Sequence, residues 1–417
     1  MTVTPGPRRV LIVSTVVPYP PAHGNQLHIF RLLRWLKEEG YEVILVLHPF
    51  EPVDEATLEE VRRLVFRVHL LLREDAPASN RLQFLRQRWL QRSDQAVRKL
   101  EDLHVEAPRF LRRWRLRHWE ELHCPPALVA EVALRCRQYR PFAIIAQYIW
   151  TTRCFAAADP GTLRIVDTHD MFSTRKEKVV SFGIEDPLTI EPDEEAMLLS
   201  RADVIMTSQI DETRGMRNLG VDRRIFTIAI DMDVAEPPRK GDEVPGRVVI
   251  VASDNQANIL GVRHFIERTW PHVVARHPEA TLHVVGRVGN HIHHVGPGVT
   301  LMGFVPSVAE EYRRAQVVVN PVYCGSGLKI KSVEAMAHGK PLVAWPPGVE
   351  GLELEGEKPW LVGRHWQQLA LRICQLLDDP QLRHTMSVRG REHVRARYAR
   401  DVIYAALKEI LERRSPE

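Results

Sequence analysis

Residues 325–344 read Gly325-Ser326-Gly327-Leu328-Lys329-Ile330-Lys331-Ser332-Val333-Glu334-Ala335-Met336-Ala337-His338-Gly339-Lys340-Pro341-Leu342-Val343-Ala344. The order is a small-residue loop, a helix carrying a carboxylate near its start, a glycine stop and a buried strand. Such a loop gathers backbone N–H groups and the positive end of a helix at one point, which suits a phosphate. Lys329 adds a full positive charge there. Glu334, one to two turns into the helix, offers an acceptor for hydroxyls such as those of a ribose. An anion cradle beside a hydroxyl acceptor is what a sugar nucleotide requires. Taken alone, the glycine-rich loop equally fits an ordinary strand–turn–helix connection.

Together with Pro346-Pro347-Gly348-Val349-Glu350-Gly351-Leu352, this run resembles the donor-site segment of family-4 retaining glycosyltransferases of the GT-B fold. The likeness is strongest to the subgroup with Gly-Xaa-Gly-Xaa-Lys/Arg ahead of the Glu, and it extends, more weakly in the middle, over nearly the whole chain. It implies an α/β architecture of two doubly wound Rossmann-like domains facing across a cleft. It also implies that the last helix crosses back to the first domain. On this resemblance the donor diphosphate would meet Gly325, Ser326, Gly327, Leu328 and Lys329, and the ribose would meet Glu334.

Three departures stand out. Many members carry two glutamates eight apart in the donor segment, and here Ser326 occupies the earlier position, which leaves the donor sugar open. Many also carry an Arg/Lys pair on the diphosphate, where this chain has Ser253-Asp254-Asn255-Gln256-Ala257-Asn258. Ser253, Asn255 and the helix start would supply neutral donors, leaving Lys329 as the cation; a plain N-cap at Asn258 fits the same residues. Third, the loop Pro18 to Asn25 has Gly24-Asn25 where members usually have two adjacent glycines. Gly24 would let the backbone approach a ligand closely, and a plain βα turn fits there too.

The rest of the chain is compatible. Its 417 residues exceed one typical core, so two domains are expected. A net charge of +4 is too small to argue for nucleic acid. Five scattered cysteines without a CxxC pair point to a reducing compartment and away from a cysteine-built zinc site. No apolar run approaches the roughly 20 residues of a membrane span, and Met1 to Arg9 leads straight into a strand without a signal peptide. The expectation is a cytoplasmic protein.

Strands are expected at Arg9 to Val17, Tyr41 to Leu47, Phe142 to Gln147, Arg164 to Asp167 and Val204 to Thr207, with a helix over Leu27 to Glu39. The polar, Pro- and Gly-rich run Glu236 to Gly246 reads as a linker. Beyond it the pattern predicts strands at Arg247 to Ala252, Thr281 to Val285, Thr300 to Met302, Val317 to Asn320 and Pro341 to Ala344. Helices are expected at Ile259 to Arg276, Val308 to Arg314, Ile330 to His338 and Asp401 to Arg413. The domains are therefore 1–236, containing a basic helical insertion at 81–119, and 247–400, followed by a C-terminal helix in 401–417.

Val166-Asp167-Thr168-His169-Asp170 closes a predicted strand at the cleft. The resemblance implies that His169 contacts the reacting sugar, with Asp170 orienting its imidazole; a structural histidine is the competing reading. Gly303-Phe304-Val305 matches the place where family members' backbone meets the base, so Phe304 joins the donor residues. Two metal-like patterns are discounted. Asp231-Met232-Asp233 lies outside the predicted pocket, and His291-Ile292-His293-His294 sits in a Gly-flanked loop without a carboxylate. No metal or other cofactor is expected.

Residues 81–119 hold eleven Arg and Lys against four Asp and Glu, interleaved with Phe84, Trp89, Phe110, Trp114 and Trp119. That pattern suits either a helical insertion packed by its aromatics or a contact with anionic lipid or a lipid-linked acceptor. The expected function is transfer of a sugar from a nucleotide diphosphate to an acceptor hydroxyl with retention, the acceptor being a sugar, a lipid-linked or a small molecule. A non-catalytic sugar- or lipid-binding scaffold and a sugar-nucleotide epimerase on the same fold are the alternatives. A nicotinamide dehydrogenase is disfavoured, because no GxGxxG follows the first strand of either half.

Overall fold

The computed structural model describes residues 7–72, 109–174, 190–237, 239, 241–322, 327–352 and 356–415. Two separate parallel sheets organise it. The first has seven strands: β1 (Arg9–Ser14), β2 (Glu42–Leu47), β3 (Arg67–Leu70), β4 (Ala143–Gln147), β5 (Leu163–Asp167), β6 (Val204–Thr207) and β7 (Arg224–Thr227). They lie in the order β3-β2-β1-β4-β5-β6-β7. The second has β8 (Arg247–Val251), β9 (Thr281–Val285), β10 (Val299–Gly303), β11 (Val317–Asn320), β12 (Leu342–Ala344) and β13 (Trp360–Val362), ordered β10-β9-β8-β11-β12-β13. Both sheets start centrally, wind outward one way, and then return to wind the other way. Each therefore has a crevice where the order reverses, between β1 and β4 and between β8 and β11.

The central strands are continuous apolar runs because helices cover both faces. Val10 to Val13 and Val248 to Ile250 are fully buried. In the first half the helices are α1 (Gly24–Glu38), α2 (Glu55–Leu64), α3 (Arg109–His123), α4 (Pro126–Tyr139), α5 (Pro192–Leu199) and α6 (Ile210–Asn218). In the second they are α7 (Gln256–His264), α8 (Trp270–Arg276), α9 (Val308–Arg314), α10 (Ile330–Ala337), α11 (Trp366–Asp378), α12 (Pro380–Tyr398) and α13 (Arg400–Arg414).

Several boundaries differ from the sequence reading for local reasons. The first strand stops at Ser14, whose hydroxyl accepts from Val16 N at 3.0 Å and turns the chain ahead of Pro18. The helix expected over Ile259 to Arg276 begins at Gln256, capped by Asn255 rather than Asn258; the Asn255 side chain accepts from Asn258 N at 2.8 Å. It also contains a π-turn at Phe265–Thr269 just before Pro271, which has no N–H to continue the regular ladder. The short strands β3, β7 and β13 and the helices α11 and α12 are additional. From the basic segment, α3 falls among the described residues. Its Leu116 is buried and Trp119 packs edge-on against Trp150 with ring centroids 5.3 Å apart.

The last helix lies on the first domain. Tyr404 stacks on Trp35 of α1 at 4.5 Å, Lys408 pairs with Glu39 at 2.7 Å, and Arg400 pairs with Glu38. At the centre of this seam is Asp231, 1 % exposed, just after β7. Its carboxylate accepts from Arg400 Nε at 3.1 Å and Tyr404 Oη at 3.2 Å, and Arg31 and Arg34 approach within 3.6 and 3.8 Å. Asp233 takes Arg31 at 2.9 Å. The Asp-Xaa-Asp is thus a clamp between α1 and the C-terminal helix.

Replacing Asp231 with Ala strands a buried tyrosine hydroxyl and leaves clustered arginines facing one another. The three guanidiniums are partly solvated, so the cost is expected at about 2–4 kcal/mol. Asp231→Ala should lower the free energy of unfolding from urea titration by that amount, and Tyr404→Phe by about 1 kcal/mol, with midpoints falling accordingly. Equal midpoints for Asp231→Ala and wild type would show that the clamp is energetically idle.

Candidate functional site

A cleft opens between the two sheets at their C-terminal edges. From the second domain it is walled by residues following β8 (Ala252, Ser253, Asn255) and following β11 (Pro321, Val322). These positions flank the reversal point of that sheet. From the first domain come Pro21, His23 and Gly24, the loop after β1 and the start of α1. Three helix N-termini, those of α1, α7 and α10, converge here with Lys329 and Lys331, and no carboxylate lines the cleft among the described residues. The electrostatics favour an anion.

Lys329 is 8 % exposed and donates to Gly327 O at 2.9 Å. Gly327 has φ +76°, a conformation that L side chains rarely adopt, and this turns the loop into α10. Leu328 lines the cleft beside it. A Cβ on Gly24 would stand 3.0 Å from Ile330 Cδ1, so a glycine at this point lets the two domains close tightly. Ser253 Oγ accepts from Asn258 Nδ2 at 3.0 Å, which holds the α7 end in shape. Glu334 already has two partners, Tyr312 Oη at 3.1 Å and Lys331 Nζ at 2.8 Å. Gly325 and Ser326 lie outside the described residues. Phe304 is 78 % exposed and is not part of the cleft wall.

Facing the loop from the first domain is His169, at the end of β5; its carbonyl oxygen is 3.9 Å from where a Cβ on Gly327 would be. Its φ of +59° is unusual for a non-glycine residue. The ring is held on several sides. Nε2 lies 2.5 Å from Gln147 Oε1, Tyr148 stacks on it at 4.3 Å, and His28 meets it edge-on at 5.0 Å. Asn25 in turn donates to Tyr148 Oη at 2.8 Å. Because an amide oxygen only accepts, this contact assigns the proton to Nε2 and leaves Nδ1 with its lone pair.

The carboxylate acting on this ring is Asp167, not Asp170. Asp170 accepts from Met171 N at 3.0 Å, and so caps the turn that follows. Asp167 is completely buried and pairs with His28 Nε2 at 3.0 Å. Burial alone would raise Asp167 and lower His28; their mutual attraction overrides it, leaving the acid below its ordinary value and the imidazole above. His169, partly buried, is instead lowered to about 4, by desolvation first. His28, Asp167 and His169 are the one group of potential metal ligands with atoms within 4.8 Å of one another among the described residues. Two of the three are engaged with each other as an ion pair.

Comparison with known proteins adds the following. Residues 245–379 match the family model described as Glycosyl transferases group 1. Sucrose-phosphate synthase from Thermosynechococcus elongatus superimposes with a TM-score of 0.67 and 16 % identity, covering 97 % of this chain and 98 % of that one. HepE of Anabaena, solved with UDP, gives 0.65 and 15 % over 97 % and 100 %. Staphylococcus aureus TarM, solved as a G117R mutant with fondaparinux, alpha-GlcNAc-glycerol and UDP, gives 0.65 and 9 % over 97 % and 99 %.

The chain has the GT-B fold. An uncharacterized 44.6 kDa protein in the cps region of Klebsiella pneumoniae is 34 % identical over 61 residues, only 16 % of its length. In this GT-B chain the described wall of the cleft combines Gly24, Ser253, Asn255, Leu328 and Lys329, with Gly327 and His169 meeting beside it. Sequence reasoning missed Gln147, Tyr148 and His28. The signal for His28 was its place one helical turn after Gly24 on the same face of α1. The loop His291 to His294 carries its three histidines at the surface, away from any such cluster.

The sign of the pH effect follows from His169. Unfolded, it takes a proton near pH 6.5; folded, it does so only near 4. Between these values the unfolded chain binds more protons, so this residue costs stability progressively as pH falls. Wild type should lose more stability than His169→Gln between pH 6.5 and 4, measured as urea midpoints. Parallel curves would contradict the neutral, partly buried imidazole.

Proposed function

We propose that this protein transfers a sugar from a nucleotide-diphosphate donor to an acceptor hydroxyl, retaining the anomeric configuration. The observation that carries the reading is the cation-lined cleft at the second sheet's reversal point, with three helix N-termini aimed into it and His169 opposite. The diphosphate would sit at Gly325, Ser326, Gly327 and Leu328, with Lys329 and the start of α10 stabilising its charge as the bond to the sugar breaks. Ser253 and Asn255 would add neutral donors, and Phe304 would border the base. Glu334 would exchange Lys331 or Tyr312 for the ribose hydroxyls.

At neutral pH His169 is an uncharged imidazole and a poor base. Its part would be to hold a sugar hydroxyl, presenting the Nδ1 lone pair while Gln147 and Tyr148 fix the ring. Asp170 would shape the following turn rather than act on the ring. The chemistry is cleavage of the C1–phosphate bond, formation of the C1–acceptor bond and release of the acceptor's proton. Positive charge comes from lysines and helix ends, so no metal is required in this reading. Closing α1 against α10 would exclude water, which competes as acceptor. UDP-glucose, present in a structure of HepE, is the first donor to try, and UDP the first nucleotide.

A calorimetric panel of UDP, GDP, ADP, TDP and CDP should give one clear binder. Glu334→Ala should weaken it by about 10- to 100-fold, the loss of roughly 1.5–3 kcal/mol of charged hydrogen bonds. Lys329→Ala should weaken it further, while EDTA leaves turnover unchanged. NMR of the first product should show the donor's anomeric configuration. Silence across the panel would defeat the donor-site reading.

A further inference from the structure

A second, larger cavity of about 930 Å³ lies on the other side of the domain seam, within the size range of ligand sites. Five basic side chains line it: Arg214 from α6, Lys358, Arg364, Arg372 on α11 and Arg397 at the end of α12. None of its described lining residues is acidic. Arg214 is paired with Asp211 at 3.3 Å and Arg372 donates to Gln375 at 3.0 Å, which leaves a net positive wall.

Two donors of residues behind this wall are buried without an acceptor. Trp360, on β13, is 4 % exposed, and its indole N–H has no hydrogen-bond partner among the described residues; the same holds for Arg372 Nε. Buried N–H groups are normally satisfied, and here both belong to residues bordering a cavity rich in cations. The cavity also adjoins the donor cleft. A smaller void of about 260 Å³ shares Gly351 and Arg397 with it and Leu328 with the cleft.

We infer that this cavity is a second anion site, separate from the donor cleft, that takes a small phosphate-bearing ligand and joins Arg214 of the first domain to Arg364, Arg372 and Arg397 of the second. Guanidiniums suit this ligand because each offers paired N–H donors to phosphate oxygens. A ligand held by both domains would favour the closed cleft.

Inorganic pyrophosphate titrated into the full chain by calorimetry tests this independently of the sugar-transfer reading. Two classes of site are expected. Arg364→Gln combined with Arg372→Gln should weaken one class at least tenfold and leave the other, whereas Lys329→Ala should do the converse. Arg413→Gln, on the exposed face of α13, serves as the control for bulk charge. The inference is overturned if the arginine pair variant binds pyrophosphate like wild type. It is equally overturned if Arg413→Gln weakens binding as much as the pair does, since that would be general attraction. A hexose phosphate and vesicles of phosphatidylglycerol, run on the same variants, separate a soluble phosphate source from a lipid headgroup. Response to vesicles alone would reject the small-ligand assignment.

Discussion

The buried carboxylate of Asp231 is the constraint on which the arrangement of the two domains depends. It draws on α1 through Arg31 and Arg34 and on α13 through Arg400 and Tyr404. A charge this deep is tolerable only with partners on every side, and here the partners come from the two ends of the chain. The pairing therefore fixes α13 across the first domain. The chain then leaves Asp231 for the second domain at once: Met232 N binds Tyr398 O and Ala235 N binds Ala337 O, at 2.8 and 3.0 Å. Few free residues are left in the crossing, so the cleft's width follows from a short, pinned connection.

Within the cleft the two walls do different electrostatic work. The second domain presents helix ends and lysines, which favour negative charge. The first domain presents a stack of rings and an internally neutralised His28–Asp167 pair, and desolvation leaves His169 without a charge of its own. A neutral imidazole next to a cationic wall avoids like-charge repulsion when the cleft closes. Behind it, Glu212, buried beside Ser208, is raised to about 8 by desolvation and by Asp170.

Much of the fold was legible from the chain. Val204–Thr207, Val308–Arg314 and Val317–Asn320 could be read to the residue, because apolar β-branched runs and a Ser cap give sharp local signals. The edge strands β3, β7 and β13 escaped because RVHL, RIFT and WLV, only partly buried, lack the unbroken β-branched run of a central strand. Helix α12 escaped for a different reason: its sequence is rich in Arg and His, and its buried side is set by contact with α10, where Gly390 faces Met336. In the cleft wall, Lys329 announced itself through the loop–helix pattern. The environment of His169 did not, since Gln147, Asp167 and His28 belong to three elements that only the sheet order brings together. Asp170 was the adjacent carboxylate in sequence, but successive residues leaving a strand diverge, and proximity along the chain misled.

Helix α1 shows what this architecture demands of one element. Gly24, His28, Arg31 and Trp35 are spaced by four, three and four residues, which places them in a single stripe. They meet Ile330, Asp167, the Asp231–Asp233 clamp and Tyr404 in turn. A one-residue insertion or deletion anywhere between positions 24 and 35 rotates part of the stripe by about 100° and mismatches whatever lies beyond it. This helix behaves as a ruler whose graduations cannot be moved.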